Sequence, residues 1–313
     1  MAGVCLVVHE TSIPYVKNVL AAIADALKDA FGCDCPMIAC SSIDSAETKD
    51  VEYIFIIGEN LGRFTRKQGR RYIFINFSVV SKLGSLASNS LNGSKLIRYK
   101  SQLLQSKLDL FDAVMDYYPP QTRYLSKTLN TPVFGFVPWV APCAGLKPIP
   151  LESRAYDVCF VGSLSKRRQR VLDKLKAEGC VLSPFSNVVA EEVSAQSRCT
   201  LNIHLERSNH LEIPRVMGAL AQSPLITESS YGIYELIPKQ LVQVHSYSNL
   251  VNQTLALLAN PKSLEETALR ARSWYIEVAA PRYKDMFISA VNELRFTLKV
   301  TRASKQVDSL SVE

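Results

Sequence analysis

Three consecutive cations, Lys166, Arg167 and Arg168, follow a glycine-serine pair, Gly162 and Ser163, that closes the apolar run Val158-Cys159-Phe160-Val161. A buried parallel strand is written as such a run, glycine lets the backbone turn tightly against a ligand, and a helix start offers free N–H groups and positive potential. Together these features fit a diphosphate. An ordinary strand-turn-helix with a solvated basic first turn has the same local pattern, so the fragment needs a second signal.

That signal comes from another strand end. Thr200-Leu201-Asn202-Ile203 stops at His204, and Glu212, Pro214 and Arg215 open the next helical stretch. Pro214 belongs in a first turn, where its missing N–H costs nothing, and Glu212 and Arg215 then share one helical face. Taken singly, each has a bland reading: Glu212 favours the helix dipole, Arg215 pairs with it, and His204 is a satisfied strand-end histidine. Both strand ends, however, aim at one edge of one sheet. A carboxylate can grip ribose hydroxyls while cations neutralise a diphosphate. Gly162, Ser163, Lys166, Arg167, Arg168, His204, Glu212 and Arg215 therefore predict a nucleotide-sugar pocket.

The elements that must position these groups alternate along the chain. Val4 to Val8 reads as a strand, and Ile13, Val16, Leu20, Ile23, Leu27 and Phe31 recur at helical spacing between Ser12 as N-cap and Gly32. Strands are predicted at 53–57, 72–77, 113–117 and 133–137, with helices over 101–110 and after Pro120. Prolines 138, 142, 148 and 150 with Gly145 mark a linker. The alternation restarts with strands at 157–161, near Val181, and at 200–203, 225–227 and 241–244. A long helical stretch covers 264–299. Such alternation argues for parallel sheets covered by helices, here two Rossmann-like halves, and a cleft at the carboxyl ends of both sheets.

At 313 residues and 47% hydrophobic content the chain can bury more than one core. No window reaches the roughly 18 apolar residues of a membrane span, and the start lacks a secretory signal, which predicts a soluble, cytoplasmic protein. The eight cysteines are scattered and read as buried reduced thiols; Cys33, Cys35 and Cys40 lack the paired spacing of a zinc site. A net charge of +7 permits a polyanionic partner without choosing one.

Tyr156-Asp157-Val158-Cys159-Phe160-Val161-Gly162-Ser163-Leu164 with Arg167 and Arg168, then Leu201-Asn202-Ile203-His204, Glu212-Ile213-Pro214-Arg215 and Leu225-Ile226-Thr227-Glu228, together resemble the carboxyl-terminal domain of GT-B glycosyltransferases, nearest the CgeB-like group. The resemblance runs in order over 157–258; the first half is similar only in its strand-helix order. It implies an α/β protein with an acceptor domain over 1–140, a donor domain over 151–298 and a flexible tail over 299–313. It also implies a metal-independent transfer, with a nucleoside-diphosphate sugar as co-substrate and no other cofactor. Gly162, Ser163 and Lys166 to Arg168 would face the diphosphate, and Glu212 the ribose. Many retaining members carry two glutamates eight positions apart. Here the first position holds His204, and Ala221-Gln222-Ser223 replaces a common Ala-Gly pair.

For catalysis, His9 and Glu10 follow the first strand and would face the cleft, either able to take a proton from an acceptor hydroxyl. His9 as a local cap is the plainer alternative. Glu59 and Asn60, after the strand 53–57, are candidate acceptor contacts. The acceptor itself stays open between a glycan, a lipid-linked glycan, a protein and DNA bearing a modified base. A GT-B-shaped binding or scaffold protein without turnover is the alternative function. A nicotinamide-dependent oxidoreductase ranks low, because no G-x-G-x-x-G follows Val4 to Val8.

Overall fold

The structure is a computed structural model that describes residues 3–46, 48, 50–58, 62–80, 99–141, 149–186, 188–205 and 210–310; residues 14, 15 and 302–310 are described as backbone alone. Glu59 and Asn60 lie outside the described residues.

Six strands, β1 (Val4–His9), β2 (Met37–Cys40), β3 (Tyr53–Ile57), β4 (Arg71–Asn76), β5 (Ala113–Asp116) and β6 (Val133–Gly135), form one sheet in the order β2-β1-β3-β4-β5-β6. Every neighbouring pair in it is parallel. The strands β7 (Tyr156–Cys159), β8 (Ser197–Asn202), β9 (Leu225–Glu228) and β10 (Val242–His245) make a second parallel sheet in the order β10-β9-β8-β7. Apolar runs became central strands because both faces are covered: β1 and β3 are buried almost throughout.

The first helix, Ile13–Phe31, ends at Gly32, which turns left-handed at φ 65° while its N–H reaches the Lys28 carbonyl. Ser12 precedes the helix but makes no side-chain cap, and the helix is broken at Val16, where φ is −135°. Two expectations are corrected and one strand is added. The added strand is β2, a short edge strand with Met37 exposed. The run near Val181 is a single bridge between Val158 and Leu182. The stretch 264–299 is two helices, Pro261–Trp274 and Ala280–Leu310, joined by a π-turn at Tyr275–Ala279. The π-turn seats the buried Tyr275, whose hydroxyl donates to the Val140 carbonyl and accepts from its N–H, fixing the end of the linker.

The last helix returns to the first half. Lys284 pairs with Asp25 and Asp29 at 2.7 Å each, and Arg295 donates to the Ala30 carbonyl while stacking over Phe31. Phe287, Val291 and Leu294 share one core with Val4, Leu6 and Ile213, so both sheets rest on common packing. The helical backbone continues to Leu310, within the span read as a tail.

Candidate active site

The carboxyl ends of both sheets face a cavity of about 250 Å³. From the second half its wall carries Val161, Gly162, Val188 to Glu191, Glu212, Pro214 and Arg215; from the first half it carries Val16 to Val19, Phe77 and Tyr117. A second pocket of about 390 Å³ lies over the first sheet, between the ends of β1, β3 and β4, where Thr11, Ser12, Gly58, Asn76 and Ser78 line it. Val16 and Phe77 border both spaces.

Local sequence explains the second half's wall. Ser165 caps the helix Lys166–Ala177 by accepting from the Arg168 N–H, so the helix starts where β7's loop ends. One turn of that helix then sends Arg167 and Arg168 inward while Lys166 stays exposed. Pro214 sits in the first turn of the helix Ile213–Leu220, and Glu212 immediately precedes it.

Glu212 is the hub. Its Oε1 accepts from Arg168 at 2.8 Å and lies 3.6 Å from Arg215, and its Oε2 meets His204 Nδ1 at 3.0 Å. Burial alone would raise the carboxyl pKa; His204, Arg215 and Arg168 overcome it and hold Glu212 down at about 2. His204 is 1% exposed. Burial disfavours its charge, yet Glu212 and Glu228 raise its pKa above the ordinary histidine value. Its Nε2 faces the Ser229 carbonyl and the Ser230 hydroxyl, each at 3.2 Å.

The other cations have distinct surroundings. Arg168 is enclosed at 2% exposure, and its donors go to the carbonyls of Ile203 and Ser163 and to Glu212. It therefore does not line the cavity; it holds the carboxylate and the glycine-serine turn in place. Arg167 forks onto Glu228, donates to the His204 carbonyl and stacks 3.8 Å from the centre of the Tyr247 ring. Arg215 lines the cavity itself, fixed at one end by the Asn202 amide oxygen at 2.9 Å. Gly162 adopts φ +141°, and a Cβ there would stand 2.6 Å from an Arg215 nitrogen. The conformation favours glycine, and its bare Cα leaves the end of Arg215 its place.

The structure thus gathers Gly162, Ser163, Arg167, Arg168, His204, Glu212 and Arg215 around one strand-end rim, with Gly162, Glu212 and Arg215 in the cavity wall. Arg167 and Glu212 both bond to His204. His9 and Glu10 stand at the end of β1 but line neither space; the His9 ring caps its own turn, accepting from the Thr11 N–H and facing the Thr11 hydroxyl at 2.7 Å. Sequence reasoning gave no role to Glu228, Tyr247, Asn202, Lys17, Asn18 or Glu191. Glu228 and Asn202 were findable as polar ends of strands; Tyr247 and Glu191 lie in a 3-10 turn and a short helix that carry no local mark. Among the described residues no group of three or more His, Cys, Asp or Glu stands together to hold a metal, and no helix is long and apolar enough to cross a membrane.

No protein-family model matches the chain. Two uncharacterised proteins of Acanthamoeba polyphaga mimivirus are similar, one 29% identical over 124 residues and the other 26% over 115 residues. The matches take in 37% and 34% of this chain but only 17% and 38% of those proteins. Among solved structures, sucrose-phosphate synthase from Thermosynechococcus elongatus superposes with a TM-score of 0.62 at 11% identity, over 96% of this chain and 100% of that one. TarM gives 0.53 at 11% identity over 80% of this chain and 55% of that one. A UDP-forming trehalose-phosphate synthase from Burkholderia xenovorans gives 0.52 at 10% identity over 94% and 100%. With its two parallel sheets meeting at a shared cleft, the chain has the GT-B fold.

Proposed function

We propose that the protein is a glycosyltransferase that takes a nucleoside-diphosphate sugar into the cavity between its halves and an acceptor hydroxyl into the neighbouring pocket over the first sheet. The observation that carries this reading is the wall of Gly162, Glu212 and Arg215 with Arg167, Arg168 and His204 fixed behind it. Arg215 meets the donor diphosphate beside the bare Cα of Gly162, and Glu212, held ionised, accepts from a donor hydroxyl. The acceptor oxygen attacks the anomeric carbon, the bond from that carbon to the diphosphate oxygen breaks, and the nucleoside diphosphate leaves with the electron pair. Arg215 and the preorganised cations behind it stabilise the growing negative charge. The acceptor proton passes to a base at the edge of the second pocket, where His9 and Glu10 adjoin its lining residues Thr11 and Ser12 without lining it themselves.

The hydroxyl- and amide-lined second pocket supports a polar, hydroxyl-bearing acceptor. The UDP-forming neighbour and a TarM structure with bound UDP support a nucleotide donor. A cytoplasmic setting fits the buried reduced thiols of Cys5, Cys40, Cys159 and Cys199. Incubation with a panel of radiolabelled nucleotide sugars tests the reading. One donor should be hydrolysed slowly by the wild type and not by a folded Arg215→Ala variant. Tight binding without turnover would make the protein a sugar-nucleotide binder, and no binding of any nucleoside diphosphate would end the proposal.

A further inference from the structure

The apolar end of the cavity carries a carboxylate that the transfer chemistry leaves unused. Glu191, on the helix Ala190–Ala195, is 8% exposed and lines the cavity. Its Oε2 accepts from the Asn18 amide across the cleft at 2.7 Å. Its Oε1 lies 2.8 Å from the place a Cβ on residue 218 would occupy, so Gly218 is what admits it. Burial pushes its carboxyl pKa up, and no cation pairs with it among the described residues. A carboxylate has about four acceptor sites. Asn18 and the residue's own backbone N–H leave Glu191 able to take further donors.

Its surroundings bear on which part of a donor it meets. Gly218 is one turn beyond Arg215 on the helix Ile213–Leu220, about 4.5 Å along the axis. The Arg215 guanidinium lies against Gly162. With a diphosphate on Arg215, the rest of the nucleotide lies along the remaining cavity wall, of which Glu191 is part. Val16, Val19, Val188 and Val189 line the same space, an apolar slot suited to the faces of a flat heterocycle.

We propose that Glu191 reads the donor's base and selects guanine; this rests on the donor-site reading above. Guanine presents two adjacent donors, N1–H and the N2 amino group, which one carboxylate accepts in parallel. Uracil offers a single N–H between two carbonyls that would oppose the carboxylate oxygens. Adenine and cytosine place an acceptor nitrogen beside their amino group. Leaving a buried acceptor unmatched is the strongest form of discrimination a small pocket has.

Titration calorimetry with GDP, UDP, ADP and CDP on the whole protein tests this. The wild type should bind GDP about tenfold or more tightly than the other three. Glu191→Gln, which keeps the size and the Asn18 contact, should lose that preference while holding UDP affinity within about twofold. A wild-type preference for another base overturns the assignment, and so does an equal loss of all four ligands in Glu191→Gln, which would give the carboxylate to the ribose. Arg215→Ala separates the two levels. If it weakens every diphosphate but the wild type prefers UDP, only the base assignment falls; if the wild type binds none of the four, the donor site falls with it.

Discussion

Replacing Glu212 by glutamine keeps the side chain's shape and removes the one charge shared by Arg168, Arg215 and His204. Holding this carboxyl at about 2 instead of its ordinary 4.5 corresponds to about 3 kcal/mol of native-state stabilisation near neutral pH. Arg168, whose side chain is only 3% exposed, would be left as a buried cation, and breaking a buried pair by removing one partner costs about 3 to 5 kcal/mol. The two routes agree, and about 3 kcal/mol lowers the melting temperature by about 5 °C in a unit of this size.

The pH dependence carries a sign. Glu212 has a depressed pKa, so its contribution is complete above 4.5 and is lost as pH falls toward about 2. His204 has a raised pKa, so its contribution is complete below 6.5 and is lost as pH rises through its folded value. The deficit of Glu212→Gln against wild type should therefore be largest between pH 4.5 and 6.5 and shrink on both sides. Circular dichroism melts of both proteins across this range measure it. A variant within about 1 °C of wild type at pH 6, or a deficit unchanged between pH 3 and pH 6, would refute the hub.

Three further outcomes follow from the site and from the contact between the halves. Gly162→Ala forces a strained φ and pushes Arg215 aside, so affinity for GDP or UDP should fall about tenfold or more. Adding Arg215→Ala to that variant should then cost little extra, which isothermal titration of both would show. Arg167→Met leaves Glu228 buried without its forked partner and should cost about 3 kcal/mol in urea unfolding, with Glu228→Gln in the same chain restoring part of the loss. Tyr118→Phe removes the hydroxyl that donates to the Tyr231 carbonyl between the halves. It should cost about 1 kcal/mol by the same measurement, without changing nucleoside-diphosphate affinity.

Much of this architecture is written locally. The apolar runs at Val4 to Val8 and Val158 to Val161 specify strands covered on both faces, Gly32 ends its helix by the only backbone turn available there, and Pro214 fixes the start of another. Those signals also place Gly162, His204, Glu212 and Arg215 on one rim, because residues after parallel strands all leave by the same edge. What they leave open is which cation faces the ligand. Lys166, Arg167 and Arg168 are equal in the sequence; the turn of one helix leaves the first exposed, carries the second to Glu228 and Tyr247 and encloses the third against Glu212. Arg215 gains the cavity because a neighbouring glycine, distant in sequence, leaves room for it. Glu191 and Asn18 meet across 173 positions, and the final helix returns to the first half through Lys284 and Arg295. Strand periodicity and capping act within a few residues. Burial, charge pairing and steric room depend on chain segments that only the folded packing brings together.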